Sequence, residues 1–491
     1  MKNLQTFNIE STNEIEIAKL RANYKGLHEG YLQQQADELR AKILNAPNTE
    51  EIYDIKGTKY YVSAGGDDNN DGLTPKTAIK SLDAIEKLPL NEGDAVLFKR
   101  GDTFRFARVI TAKDGVTYGS YGEGIKPKIY GSPENYAEND SWEEVKPNIW
   151  KIEFPYNYAS GCIIDYGKIQ GVQKWDTKLD GMSENGDYYH DLDEKVFYLY
   201  SKDGKPSDVF MDIEIMPTEK LIFLRGSKDI VIDNLCLKYT ASFAIHCADT
   251  KGSTTVTNCE IGFIGGLWEG GSRPGTRVRY GNAIEFWAGL PGVVIENVTL
   301  KNNWIYQTYD SAITWQGNQD DTVWKDIFFN DNLFEYNNAD IEFFGRNGAP
   351  LINYHMENNI MRFTSMGWGT RTCDGGIRGI EGCLRAVTAA VRPNVNYAMD
   401  IKDAYFIDNK IDCPARQTIN WNINAEQKKH LHTSGTVLYI KSEYRTLEPC
   451  LQGLQDDWVG ETYDQRMATN KEELIAMFPR FETGAEIHWD E

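Results

Sequence analysis

One phrase comes back three times in the middle of this chain: Asn282-Ala-Ile-Glu-Phe286, Ser311-Ala-Ile-Thr-Trp315 and Ala339-Asp-Ile-Glu-Phe343. Copies of one short phrase imply near-equivalent strands stacked on one another. Alternation along a strand sends Ile284, Ile313 and Ile341, with Phe286, Trp315 and Phe343, to one face. Glu285, Thr314, Asp340 and Glu342 then share the other face, so the stack carries a row of carboxylates. The steps from Ile284 to Ile313, Ile341 and Trp368 are 29, 28 and 27 residues. Repeats of that length build a solenoid, in which each unit buries its apolar face only against its neighbours.

The repeat continues beyond those copies. An Asn opens an apolar stretch at Asn234, Asn258, Asn303, Asn332, Asn359 and Asn409. In a parallel β-helix an Asn at one fixed corner can stack coil upon coil, its amide bonding the next turn. Short β-branched strands, Gly and Asn corners and the lack of long amphipathic helices between repeats point to that all-β fold. By this count Trp368 fills the inward position held by isoleucine in earlier coils.

Tyr60-Tyr-Val-Ser-Ala-Gly-Gly-Asp-Asp-Asn-Asn-Asp-Gly-Leu-Thr-Pro75, followed by Lys80-Ser-Leu-Asp-Ala-Ile85, adds a more specific sign. With Gly93-Asp-Ala-Val-Leu-Phe-Lys-Arg-Gly-Asp-Thr-Phe104 and Tyr118-Gly-Ser-Tyr-Gly-Glu-Gly-Ile-Lys-Pro127, it resembles the opening of right-handed parallel β-helix proteins of the pectate-lyase-like superfamily. Among them it is most like the β-helix glycoside hydrolases, such as β-xylosidases, α-fucosidases and lacto-N-biosidases. The resemblance spans roughly 59–425 and implies a right-handed β-helix acting on carbohydrate; one fold hosts many chemistries, so it names no substrate.

The expected organisation is a helical cap over 1–50, first coils over 59–140, an antiparallel β-rich insertion over 141–217, main coils over 218–425 and a strand with a second helical cap over 426–491. The capping helices are Ser11–Ala46, with a stripe of Leu27, Tyr31, Leu39 and Ile43, and Asp464–Phe478, stopped by Pro479. They are expected over the open ends, where they would block edge-to-edge association. The insertion is what the resemblance implies: Trp150-Lys-Ile-Glu-Phe154 and Gly186–Tyr200 look like the antiparallel ornament that such glycosidases often carry.

With 491 residues, 41% of them hydrophobic, the chain can fill a continuous core. Its formal charge of −21 opposes nucleic acid, anionic membranes and polyanionic glycans unless a cation bridges. The eight cysteines and seven histidines show no metal-ligand spacing, so no metal is expected and the thiols read as reduced core residues. The first residues lack an apolar leader region and no stretch reaches membrane-spanning length, so the expected location is the cytoplasm, or outside the cell if a leader has been removed.

The chemistry belongs to the outer face. Coils lie ~4.8 Å apart, so Glu285 and Glu342 share a column with backbones ~9.6 Å apart and Thr314 between them. Asp340 falls on the same face as Glu342, and Asp310 opens the intervening coil. Inverting glycosidases place two carboxyls roughly 6.5–9.5 Å apart and retaining ones about 5–5.5 Å. A carboxyl crowded by like charge stays protonated as the acid while its neighbour serves as base. Asp340 or Glu342 is accordingly expected as acid, and Asp310 or Glu285 as base.

His246 and Asn420 extend the column, and Arg279 and Arg346 are placed to neutralise it. Trp268 and Trp287 offer faces to sugar rings. Long connections over 260–281 and 369–400 would wall a pocket suited to exo-action on a short, neutral oligosaccharide. Two other readings stay open: a lyase using Ca2+ on a uronate glycan, which would need a lysine, arginine or tyrosine base, and a glycan-binding solenoid without catalysis.

Overall fold

A computed structural model describes residues 28–268, 279–317, 319, 321–344, 349–370, 385–389, 399–415, 417–421, 428–445, 451–452 and 467–490. It is a right-handed parallel β-helix. Among the described residues the coils build three long sheets. The first runs from Lys59–Val62 to Leu431–Ser434, the second from Thr103–Phe104 to Glu486–Asp490, and the third from Ile110–Thr111 to Met467–Ala468. One coil reads Val294–Lys301, Trp304–Thr308 and Ser311–Gly317, and the next reads Val323–Asn330, Leu333–Glu335 and Ala339–Phe344.

A single apolar core runs the length of this body, from Val62 and Val96 through Ile245, Ile284, Ile313 and Ile341 to Ile440 and Phe481. Phe286 stacks on Trp315 at 4.5 Å, a ring pair worth ~0.5–1.5 kcal/mol beyond burial. Inward positions therefore follow the alternation of the repeat phrase. The isoleucine row continues at Val387 and Ile419 and bypasses Trp368. Trp368 stands in a 3-10 turn outside the coil, buried against Tyr309. Its 27-residue step is a coincidence, because the row's next position after Ile341 is Val387, on the strand Arg385–Ala389.

The asparagine ladder is present at one corner, between the first and second sheets. Asn332 Oδ1 accepts the backbone N–H of Asn303 at 3.0 Å and its Nδ2 at 3.1 Å, and Asn359 does the same for Asn332. Asn409 repeats the pattern for Asn359. Asn234 and Asn258 are not rungs. They stand one residue earlier, at the left-handed position that Asn302, Asp331, Asn358 and Asp408 also hold, with φ of 52–60°. Asparagine suits both sites, since it tolerates positive φ and can bond the next coil. Cys259 holds the rung beneath Asn303 and donates its N–H to it.

The insertion forms two antiparallel sheets, one from Glu143–Lys146, Ile149–Glu153, Tyr188–Asp191 and Val196–Tyr200, the other from Cys162–Ile164, Ile169–Gln170 and Ile213–Ile215. Phe154, Phe197, Tyr188 and Ile215 fill its own small core.

The N-terminal helix spans Gln33–Leu44 and lies along the side of the solenoid. Ala36, Ile43 and Leu44 pack on Trp304, Leu333 and Ile360 of the second sheet, and Arg40 reaches Glu335. It therefore covers a flank instead of an end, because its stripe contains Arg40, whose partners sit on that face. The N-terminal end is closed by Leu82 and Ile85 of the short helix Leu82–Lys87. The C-terminal end is closed by Leu474 of Lys471–Met477 with Phe478 and Phe481, and Asn470 caps that helix by accepting the Glu473 N–H. The strand Val437–Lys441 is followed by one more, Glu486–Asp490. Among the described residues no helix is long and apolar enough to cross a membrane. Cys162, Cys236, Cys247, Cys259 and Cys413 are buried thiols.

Candidate active site

On the outer face of the third sheet, backbone register aligns Phe223, His246, Glu285, Thr314, Glu342, Thr388 and Asn420 in one column. The repeat phrase dictates this, since each inward isoleucine fixes an outward neighbour one residue on. Glu285 and Glu342 are thus two coils apart, at ~9.6 Å between backbones. Thr314 between them is fully buried, and its Oγ1 finds no hydrogen-bond partner among the described residues. A buried hydroxyl without a partner costs about 1–3 kcal/mol, which a bound polar group would remove.

Glu285 is 5% exposed, and its carboxyl is pushed up to about 8. Burial is the main cause, followed by the like charges of Glu342 and Asp310. It therefore holds its proton at neutral pH. His246 Nε2 lies 3.6 Å from Glu285 Oε2. Burial, with Lys220 nearby, lowers this imidazole to about 3, so a neutral ring faces a protonated acid. Phe243 at 4.6 Å and Phe223 at 5.1 Å hold the ring. Glu342 accepts a bond from Ser311 Oγ at 3.4 Å. Asp310 is fixed at the turn into the same coil, its N–H donating to Gly281 O and its carbonyl accepting from Ala339 N.

Asp340 plays a different part. It precedes Ile341 as Ala312 precedes Ile313 and Ala283 precedes Ile284, and those alanines belong to the core. Asp340 is fully buried there, bonded by Asn337 Nδ2 at 3.0 Å and by Thr364 Oγ1. Burial raises its carboxyl to about 7. Asp310 and Glu342 act on Glu285; Asp340 instead joins a corner network in which Asn337 also accepts from Thr308.

Trp268 is buried, not a platform for sugar. It lies in the hairpin Leu267–Trp268 with Arg279–Tyr280 and donates to Gln173 of the insertion at 3.2 Å. Arg279 is sandwiched 5.6 Å from Trp268 and 4.6 Å from Tyr309, donating to Gly266 O and Ser160 O. This pair bolts the hairpin to the insertion. The spacing of the repeat could not reveal that, because Ser160 and Gln173 are a hundred residues away in sequence. Trp287 is half-buried, two residues along the strand from Glu285 and so on the same face. Asn420 continues the column in register, and Arg346 lies outside the described residues.

Sequence reading missed Lys220 and Tyr280. Lys220 begins the strand paired with Phe243, and its ammonium lies 5.4 Å from the Phe223 ring, close enough to act on both His246 and Glu285. It was overlooked because it lies outside the three phrase copies. Tyr280 packs 5.8 Å from Phe243, and burial pushes its hydroxyl up to about 12. Among the described residues no group of three His, Cys, Asp or Glu side chains is arranged to hold a metal ion.

No family model matches this sequence. No curated protein matches it either. Among solved structures, the complex of XylC with xylose is similar at 11% identity over 78% of this chain and 68% of that one, with a TM-score of 0.39. The GH136 lacto-N-biosidase from Eubacterium ramulus, as its selenomethionine derivative, is similar at 15% identity and a TM-score of 0.35. That alignment covers 80% of this chain and 57% of the biosidase. An alginate lyase from Paenibacillus sp. str. FPU-7 is similar at 14% identity over 72% of this chain and 90% of that one, with a TM-score of 0.34.

Proposed function

We propose that the chain is a glycoside hydrolase that cleaves a short oligosaccharide with the carboxyls on the third sheet. The observation that carries this reading is Glu285, buried in one column with Glu342 and beside Asp310, its carboxyl pushed up to about 8 by burial and by their like charges. Glu285 takes the role of general acid, donating its proton to the departing glycosidic oxygen. This reverses the assignment expected from spacing alone, and burial is the reason. Glu342 takes the role of base, with Asp310 holding Glu285 protonated by its like charge. Two coils separate Glu285 from Glu342, and the inverting mode, which needs carboxyls roughly 6.5–9.5 Å apart with a water between them, is the one proposed for this pair. Thr314 Oγ1 lies where it can hold that water or a sugar hydroxyl. Trp287 and Tyr280 are the ring-facing groups, and exo-action on a short chain completes the proposal.

Lys220 keeps a second reading alive, since a lyase can use a lysine amine as the base that abstracts the proton, and this side chain sits beside the carboxylates. The test is a panel of nitrophenyl glycosides and neutral oligosaccharides, with release of reducing sugar and absorbance of unsaturated uronate followed together. Sugar release abolished by Glu285→Gln and by Glu342→Gln supports hydrolysis. Unsaturated product abolished by Lys220→Ala replaces it with elimination. Binding without turnover of either kind leaves a glycan-binding solenoid.

A further inference from the structure

A cavity of about 450 Å3 lies on a different face, over the first coils of the second sheet, where the insertion folds down upon it. Its floor includes Lys128 and Tyr130, and its roof includes Asp212, Glu214 and Tyr166 of the insertion. Pockets of about 300–1,000 Å3 are the size that small ligands occupy. A further hollow of about 480 Å3 begins on the other side of Thr103 and Arg105 and runs past Phe106. The two share Thr103 and Arg105, so they form one bent groove.

Arg105 stands at the bend. Its guanidinium lies 5.1 Å over Tyr130, donates to both Glu214 oxygens at 2.6 and 2.7 Å, and donates to Ser132 O at 2.9 Å. A guanidinium has five N–H groups. Three bonds leave two of them, and the side chain is 20% exposed. Burial and then the neighbouring Glu214 push the Asp212 carboxyl well above its usual range, and the two acids share a side-chain hydrogen bond. Tyr166 reaches the groove from two successive residues in left-handed backbone, Asp165 at φ 49° and itself at φ 58°. Asp212 holds that turn, its carboxyl accepting the Tyr166 N–H at 3.2 Å and its carbonyl the Asp165 N–H at 2.8 Å. Such backbone persists only where its surroundings over-determine it.

Charge selects the ligand. Arg105 and Lys128 face Glu134, Glu138 and Glu214, so neither an anion nor a cation meets a uniform field. Uncharged hydroxyls, each both donor and acceptor, match the mixed walls. We infer that this groove is a second saccharide site for a neutral oligosaccharide of two or more units, with Arg105 donating to adjacent hydroxyls and Tyr166 facing a ring. The ligand class rests on the glycoside-hydrolase reading. None of its lining residues lies on the third sheet, so it would hold a different part of the glycan or a second chain.

The experiment is calorimetric titration of gluco-, xylo- and galacto-oligosaccharides of two to four units into the full chain carrying Glu285→Gln, which prevents turnover. Tyr166→Gly removes the ring and relaxes the left-handed turn. Thr103→Trp fills the bend from a strand position that accepts aromatics. Each is added in turn, and each is also measured for cleavage of a small chromogenic glycoside in the otherwise unaltered enzyme. The expected result is loss of one class of binding site, or affinity at least tenfold weaker, with chromogenic turnover unchanged. Isotherms unaltered by either substitution, in an enzyme that still turns over, overturn this inference alone. Tyr166-dependent binding in a protein that cleaves no glycoside supports it and removes the hydrolase reading, while no binding of any sugar removes both.

Discussion

Two outer faces of one solenoid carry buried acids in the same kind of column and treat them in opposite ways. On the second sheet, register stacks Glu335, Arg362 and Asp412 on successive coils. Arg362 donates to Glu335 at 2.8 Å and to Asp412 at 2.9 Å, and Arg40 of the flanking helix adds a bond to Glu335 at 2.6 Å. Lys238 pairs with Glu260 at 2.6 Å on the same face. Although burial opposes ionisation, these cations hold the Glu335 and Glu260 carboxyls below their usual range. On the third sheet, burial first and then the like charges of Glu342 and Asp310 drive Glu285 up to about 8, with no cation paired to it among the described residues. The difference teaches that burial alone does not mark a site. A buried acid with an Arg partner is fastening, and one raised by its neighbours is available for chemistry.

The largest effect should come from the third sheet. Glu285→Gln and Glu342→Gln should each lower kcat by about 10²–10⁴-fold, the usual worth of general acid or base catalysis, with oligosaccharide affinity retained. Steady-state kinetics beside calorimetry would check this, and an active Glu285→Gln enzyme would erase the contrast. On the second sheet the same isosteric change should leave catalysis intact and damage the fold. Glu335→Gln removes the charge and one of the two oxygens that Arg40 and Arg362 share and should cost about 3–5 kcal/mol in denaturant unfolding. Asn332→Ala, which removes a rung serving both neighbours, should cost about 1–3 kcal/mol by the same measurement.

The pH dependence sharpens the comparison, because the two faces have opposite signs. Glu335 and Glu260 are depressed, so their contribution to stability is present above the ordinary glutamate value and lost as pH falls below it. Glu285 is raised, so the folded state is favoured below the ordinary value and loses that advantage as pH rises towards about 8. Activity that needs protonated Glu285 should fall along a limb near pH 8, and Asp310→Asn should move that limb to lower pH by removing one like charge. The smallest effect is on stability at pH 8, where Glu285→Gln should raise it by ~1 kcal/mol, the usual gain when a strained functional group is neutralised.

The repeat phrase made the third-sheet column legible before any coordinates, down to the pairing of Glu285 with Thr314 and Glu342. A period-2 pattern leaves no freedom once one isoleucine is placed inward. The failures share a cause. Asn234 and Asn258 were read as rungs because asparagine serves two adjacent corner positions. Trp368 was counted as a coil position because connection lengths vary while strand spacing does not. Asp340 was read as facing the cleft, yet its oxygens meet Asn337 and Thr364 at a corner.

The sequence by itself determined the solenoid and the column of acids, because those follow from local periodicity, and its likeness to β-helix glycosidases pointed to the antiparallel insertion. Tertiary structure decided which acids are paired and which are raised. That depends on Arg40 and Lys220 arriving from distant segments, and Coulomb energy and desolvation depend on distance in space rather than along the chain.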